Sequence, residues 1–361
     1  MKKQIRINLT KPNIDNREID AAKKVLKSGW LIRGMQTKLL EEEFAKFSGA
    51  KYAIATNGCT MALYLAIKRL NLKKSDEVIV PSLTWTATAA AVIHAGGTPV
   101  FADVKKDTWC LDPEDVKQKI TKNTKLVIPV HFASVYAEGF KKFPVPVLFD
   151  SAHRIEKNGF DGTESCHSFY AVKNMTTIRG GMLLTNNEED AKWYMMAVHG
   201  GVAKDTLSRY LGAQKQNDAS SFYYDVEIPL WNFDMTDVEA AIGRVQLKKL
   251  ESLNAKRNKI VTVYNRAFGL KNKGNHMYPI LVRNRDKFLI AMKKAGIHCG
   301  IHYLPLHLMK GYKQYYKGSL PNTEFIGKHC VTIPLYPDLT KKEIEFIVQE
   351  VNRNGKIIKE F

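Results

Sequence analysis

Between residues 50 and 190 short apolar runs alternate with stretches of helical spacing, and this alternation restricts the chain more than any other feature. Residues 52–56, 77–81, 99–104, 126–132, 145–150, 165–172 and 181–185 read as strands, while 60–70 and the alanine-rich 86–94 read as helices between them. Runs this short and this continuously apolar are typical of strands buried on both faces, and intervening helices supply the crossovers of a parallel sheet. The predicted class is α/β: a large domain holding a mostly parallel, seven-stranded sheet sandwiched by helices.

From residue 188 the sequence turns more helical. Thr236 and Glu239 have the spacing of a capping box, in which each side chain satisfies one orphan amide at a helix start. That helix runs into a polar stretch near 255–268, a plausible bridge to a second unit. Strands at 275–282, 300–303 and 331–335, a helix at 285–295 and a final helix opened by a second capping box, Thr340 with Glu343, read as a small α+β domain. The expected division is 1–254 for the large domain and 255–361 for the small one. No internal repeat is visible.

A chain of 361 residues has room for two or three domains, and its apolar and charged fractions are those of a globular protein. No apolar run is long enough to span a bilayer, and residues 1–13 lack the apolar core of a signal peptide. Five scattered cysteines include no close pair of metal-knuckle or redox type, so the reading is a reduced, cytoplasmic protein without a metal. The formal charge of +19 raises nucleic-acid binding and an anionic small substrate as alternatives to a solvated lysine-rich surface. The lysines are spread along the chain, with no basic tail and no basic-aromatic module, so no nucleic-acid partner is expected.

Four local signals carry chemistry. Asp150 ends an apolar run, at the edge where open α/β sheets place ligands, although such an aspartate often only caps a turn. Lys173 lies in a polar turn after another run and before Gly180 and Gly181. A lysine is ordinarily a solvated surface group, but its amine can form an imine with an aldehyde cofactor; pyridoxal phosphate also needs an acidic partner for its ring nitrogen. Gly58, Cys59 and Thr60 form a turn from strand into helix, which suits a phosphate but equally suits a plain helix start capped by Thr60. Trp85 follows a strand end and offers a stacking face, or a core aromatic. All four fall on one expected edge of one sheet.

These residues resemble the DegT/StrS-type family of sugar-nucleotide aminotransferases, within the aspartate-aminotransferase (fold type I) superfamily, and the likeness spans nearly the whole chain. It rests on Ser28-Gly-Trp30-Leu-Ile-Arg33-Gly34, on residues 81–88, on Asp150-Ser-Ala152-His153, on Ser168-Phe through Lys173-Asn to Gly180-Gly181, on residues 231–243, on His302-Tyr-Leu-Pro-Leu-His307 and on Pro334-Leu-Tyr-Pro337. The resemblance implies that Lys173 carries pyridoxal 5'-phosphate and moves the proton, that Asp150 pairs with the ring nitrogen and that Trp85 stacks on the ring. It implies a phosphate held by the amides of Gly58, Cys59 or Thr60 and by the Ser168 hydroxyl, with Ala152 beside the cofactor. Asn232 is implied to reach the phosphate from a neighbouring subunit, which requires a homodimer. The substrates implied are L-glutamate as donor and a nucleotide-linked keto-sugar as acceptor, most simply a 4-keto-6-deoxy sugar, with the 3-keto position as the alternative. Candidates to line the substrate pocket are Trp30, Arg33, Thr84, His153, Arg154, Arg179, His199 and His302.

The chain departs from the family pattern where Arg179 and Asp234 invert the usual signs, a swap that suggests a compensating pair across the dimer. The stretch after His131, Phe-Ala-Ser-Val-Tyr136, also lacks the glycine of relatives. A sugar dehydratase of the same fold would carry histidine at position 173, and an idle scaffold would not be expected to keep Lys173, Asp150 and Ser168 together.

Overall fold

The computed structural model describes residues 7–203, 207, 209–210 and 223–359; the extreme N-terminus considered above for a leader lies outside them. The strands of the large unit are β1 (Tyr52–Thr56), β2 (Glu77–Pro81), β3 (Thr98–Ala102), β4 (Thr124–Val127), β5 (Phe149–Ser151), β6 (Ser165–Ser168) and β7 (Gly181–Thr185). They form the ladders β1–β7–β6–β5 and β3–β2–β4, joined by parallel bridges from Val127 to Val147 and from Val130 to Asp150. The expected α/β sheet is thus present. Its seam is irregular where Pro129 and Pro146, which have no N–H to donate, fall in the expected runs. This is why 126–132 and 145–150 yield shorter strands than their apolar patterns suggest.

β2 pairs parallel with β3 and β4, and β5 pairs parallel with β6, whereas β7 runs antiparallel to both β1 and β6. The cause is the connection. No helix separates β6 from β7, so the chain turns straight back, and a direct return gives an antiparallel pair. Ser168 stands opposite Gly181, which leaves the residue 169–180 turn, Lys173 included, projecting from the C-terminal edge of β6.

Alternate residues of the central strands feed opposite faces. Ile54 and Leu183 pack with α3 (Cys59–Lys68), α4 (Thr86–His94) and α6 (Glu188–Val198). Their neighbours Ala53, Ala55, Met182 and Leu184 pack with Leu40 and Phe44, and with Ala240 and Leu247. The last four residues belong to α2 (Met35–Ser48) and to α7 (Asp237–Phe268). The other large-unit helices are α1 (Asn16–Ser28) and α5 (Pro113–Lys119).

α7 opens with the expected Thr236–Glu239 capping box, continues for 32 residues across position 254–255 and stops at Gly269, whose φ of 65° is left-handed. The second unit pairs β8 (Tyr278–Leu281) antiparallel with β9 (Cys330–Ile333) and packs them with α8 (Arg285–Lys294) and α10 (Lys341–Asn354). α9 (Pro321–His329) leads into β9. Ile7 lies in this second core, bridged to Ile297, so the described N-terminus packs with the C-terminal unit. Residues 300–303, read above as a strand, hold only the bridge from Gly300 to Thr332. Among the described residues no helix is long and apolar enough to cross a membrane.

Candidate active site

The C-terminal edge of the sheet opens into a cavity of about 540 Å³. Its wall takes Asp150 from the end of β5, Ser168 from the end of β6, Lys173 from the turn after it, Gly58, Cys59 and Thr60 from the start of α3, and Trp85 from the start of α4. The four local signals of the sequence therefore converge on one space. Ala152, Thr84, His153, Arg179 and His302 line it as well.

Asp150 is buried, and each carboxylate oxygen has one donor: Thr88 Oγ1 at 2.8 Å and the Ala152 amide at 3.1 Å. Since Thr88 donates there, its hydroxyl accepts from Thr84 Oγ1 at 2.9 Å. Thr84, expected at the substrate, spends its proton on this relay. Burial raises the Asp150 pKa, while the two hydrogen bonds and the Lys173 charge pull the other way. Burial lowers Lys173 to about 8, with Asp150 resisting, so near-neutral pH leaves a usable fraction of free amine.

α3 begins at a glycine N-cap with no side-chain cap. Thr60 does not cap it, and the Cys59 and Thr60 amides have no acceptor among the described residues. A methyl built on Gly58 would meet nothing within 4 Å. Open space over free amides at a helix start fits a phosphate group. Gly181 closes the cradle from behind: a methyl there would lie 2.5 Å from the Cys59 nitrogen and 2.7 Å from the Gly58 carbonyl carbon. Because those atoms are backbone, the helix start must move. Gly181→Ala is expected to cost about 1–3 kcal/mol of cofactor binding, read as a dissociation constant by dialysis. An unchanged constant would show that the phosphate sits elsewhere.

The sequence reading missed Tyr303, His276, Thr88 and Asn174. Tyr303 Oη lies 3.0 Å from His153 Nε2, and the Tyr303 ring faces Trp85 at 6.1 Å between centroids. The Ala133 amide donates to His153 Nδ1, so Nε2 carries the ring proton and donates to Tyr303. Ala133 and Ser134 hold φ of 52° and 81°, the left-handed region that favours glycine. Ser134 Oγ donates to the His153 carbonyl, which fixes that turn against the site. Burial, then the Lys173 charge, drives His153 and His276 well below the usual histidine range and His302 to about 4. These imidazoles are neutral at working pH.

Four candidates lie away from this cavity in the chain. Arg33 is buried, donating to Glu41 and to the Ala55 carbonyl. Trp30 faces a surface cleft, its ring edge-on to Tyr210. Arg154 pairs with Glu156 and the Ser134 carbonyl, over the Tyr136 ring. His199 is held by Asp234 at 2.9 Å, and Asp234 also accepts from Asn232, which is exposed. Asn232 thus stands outside its own chain's cavity, although the next carbonyl, Phe233 O, accepts from Asn57 at the rim.

A lysine whose pKa burial has lowered, a buried carboxylate and an open helix start are what an aldehyde cofactor with a phosphate tail requires, and on this sheet order they define a fold type I pyridoxal-phosphate enzyme. The chain belongs to the DegT/DnrJ/EryC1/StrS aminotransferase family, whose model matches residues 12–352. It is 34% identical to the spore coat polysaccharide biosynthesis protein SpsC of Bacillus subtilis, over 94% of this chain and 95% of that one. PseC of Helicobacter pylori, an aminotransferase involved in the biosynthesis of pseudoaminic acid, superposes with a TM-score of 0.87 at 26% identity, covering 97% of this chain and 99% of that one. Spr1654 of Streptococcus pneumoniae, solved in its PMP form, gives 0.86 at 28% identity over 96% and 98%. The protein is an aminotransferase, and its cofactor is pyridoxal 5'-phosphate.

Proposed function

We propose that this enzyme moves the amino group of L-glutamate to a nucleotide-linked keto-sugar, a 4-keto-6-deoxy sugar by preference, and that it works as a homodimer. The observation that carries this reading is the cavity itself. At about 540 Å³ it has the size of a site for a ligand and cofactor together, and Lys173 and Asp150 share its wall. The relatives' names support a sugar: one serves a polysaccharide and another the biosynthesis of pseudoaminic acid.

Bound pyridoxal phosphate supplies the electron sink for the carbon that loses its proton. The residues do the rest. Lys173 Nζ would attach the cofactor and, once released, carry the proton between the substrate carbon and the cofactor carbon. Asp150, oriented by Thr88 and the Ala152 amide, would pair with the ring nitrogen and hold its proton. Trp85 would cover one ring face, and the Cys59 and Thr60 amides with Ser168 Oγ, on the same cavity wall, would hold the phosphate. Asn232 completes the phosphate site of the partner subunit, in keeping with its exposed position outside its own cavity. His153, Arg179 and His302 face the substrate; Arg179 is the guanidinium on the wall, suited to a carboxylate or diphosphate.

The test is spectroscopic. The protein is converted to its amino form with L-glutamate, freed of amino acid, and mixed with keto-sugar nucleotides one at a time. Return of the absorbance of the lysine-bound cofactor identifies the acceptor, and the aminated product gives the carbon. Restoration by simple 2-oxo acids alone, with no response to any keto-sugar nucleotide, would overturn the sugar assignment.

A further inference from the structure

Asn174, next to Lys173, is buried and makes three side-chain hydrogen bonds. Its Nδ2 donates to Asn254 Oδ1 at 3.0 Å and Asn275 Oδ1 at 2.9 Å, and its Oδ1 meets His276 Nδ1 at 3.0 Å. The direction of every bond follows from Arg257. A guanidinium only donates, and Arg257 donates to Asn254 Oδ1 at 2.9 Å, so that atom is an oxygen. Asn174 must then turn its NH₂ to Asn254 and its oxygen to His276. His276 in turn must carry its proton on Nδ1, and a neutral ring leaves Nε2 with a bare lone pair. Arg257 also donates to the Asn174 carbonyl at 3.2 Å, which pins the backbone beside Lys173.

His276 lines a second, smaller chamber of about 110 Å³, whose wall includes Lys173, His302, Tyr303, Thr10 and Thr332. The ring of His153 stacks on His276 at 4.6 Å between centroids, which sets the plane of its lone pair. His302 has no such fixed direction, because its partner, Thr332 Oγ1, can donate or accept. The charged and titratable groups facing His276 are Lys173, Arg257, His302 and His153. Those facing Lys173 are Asp150, Cys59, His153, His276 and His302.

We propose that His276 is a positioning residue for Lys173: its bare Nε2 accepts a hydrogen bond from the amine, directly or through one chamber water, whenever the amine is not bonded to cofactor. The tautomer is imposed by the Arg257–Asn254–Asn174 relay. An amine that donates one N–H backwards into the small chamber presents its lone pair forwards to the substrate carbon. The acceptor also favours the ammonium form, so it partly offsets the desolvation of Lys173. The inference rests on Lys173 being the cofactor lysine.

The test uses full-length holoenzyme and three variants. His276→Phe keeps a ring and removes the acceptor; kcat is expected to fall about tenfold with KM little changed. The acid limb of its pH profile is expected to move down by about one unit, because the ammonium loses an acceptor. His276→Gln offers Nε2 to Asn174 and Oε1 to the chamber, and should restore both the rate and the limb. Cofactor content and melting temperature are recorded for each. An unmoved acid limb in His276→Phe overturns the proposal, and so does equal loss in both variants accompanied by loss of cofactor or melting temperature. Lys173→Ala separates the two levels: if it still turns over, the lysine assignment fails and the role of His276 falls with it, whereas a dead Lys173→Ala beside an unmoved acid limb in His276→Phe overturns the role of His276 alone.

Discussion

Replacing Lys173 by alanine should leave cofactor bound while lowering turnover on the order of 10⁴-fold. The expectation of retained binding comes from where the other contacts sit. In the proposed arrangement the phosphate cradle comes from the start of α3 and the end of β6, the ring partner from the end of β5 and the stacking face from the start of α4, all on one cavity wall. None of them is held in place by the lysine side chain, whose interaction with Asp150 and Cys59 is coulombic. The loss of rate comes from two roles vanishing together, the covalent attachment and the proton carrier. Absorbance and dialysis on the purified variant separate them. A variant that binds cofactor but shows no lysine-linked band and no turnover fits; one retaining a tenth of wild-type turnover would move the proton carrier to another group.

The second large effect is expected at Asp150. Asp150→Asn keeps the shape and one acceptor, and Thr88 can turn its hydroxyl to accept from the new NH₂, but the charge is gone; a rate loss on the order of 10²–10³-fold follows from losing an anion preorganised where positive charge must be held. Stability should respond in the opposite sense. A buried carboxylate carries a desolvation cost that Thr88, the Ala152 amide and Lys173 only partly offset, so the neutral side chain should match or exceed the wild-type melting temperature in the cofactor-free protein. Thermal melting together with steady-state kinetics decides the matter. A parallel fall in melting temperature and rate would mean that Asp150 serves the fold and not the chemistry.

Much of the architecture was legible in the sequence because it depends on local signals. Continuous apolar runs marked β1, β2 and β7 to the residue, alanine-rich spacing marked α4, and both capping boxes formed as read. The direction of β7 was not legible, since an apolar run reads the same either way; the missing crossover helix decides it. Residues 300–303 look like a strand by composition, yet their surroundings provide one bridge and no ladder.

The site divides similarly. Asp150, Lys173, Gly58 and Trp85 stand beside strand ends or helix starts, where position alone suggests a role. His276 and Asn174 are 102 positions apart, as are the partners of most buried polar contacts here by large separations, and nothing local in either marks the bond between them. Arg33 shows the reverse case. A lone arginine near an expected substrate segment looks like an anion binder, but Glu41 had already claimed it eight residues on.

The long helix α7 has a bearing on how such an enzyme admits a bulky acceptor. At 1.5 Å per residue its 32 residues make a rod of about 48 Å that begins beneath the large sheet and ends in the core of the second unit. Asp237, in its first turn, ties down the start of α2 through the amides of Gly34, Gln36 and Thr37, while Tyr264 and Phe268 near its far end are core of the second unit. With no slack residue at the junction, the two units cannot swing apart on a linker; widening the mouth would require flexing a main-chain ladder along its whole length. The aperture is therefore a property of the framework, and discrimination among acceptors falls to the side chains at the rim.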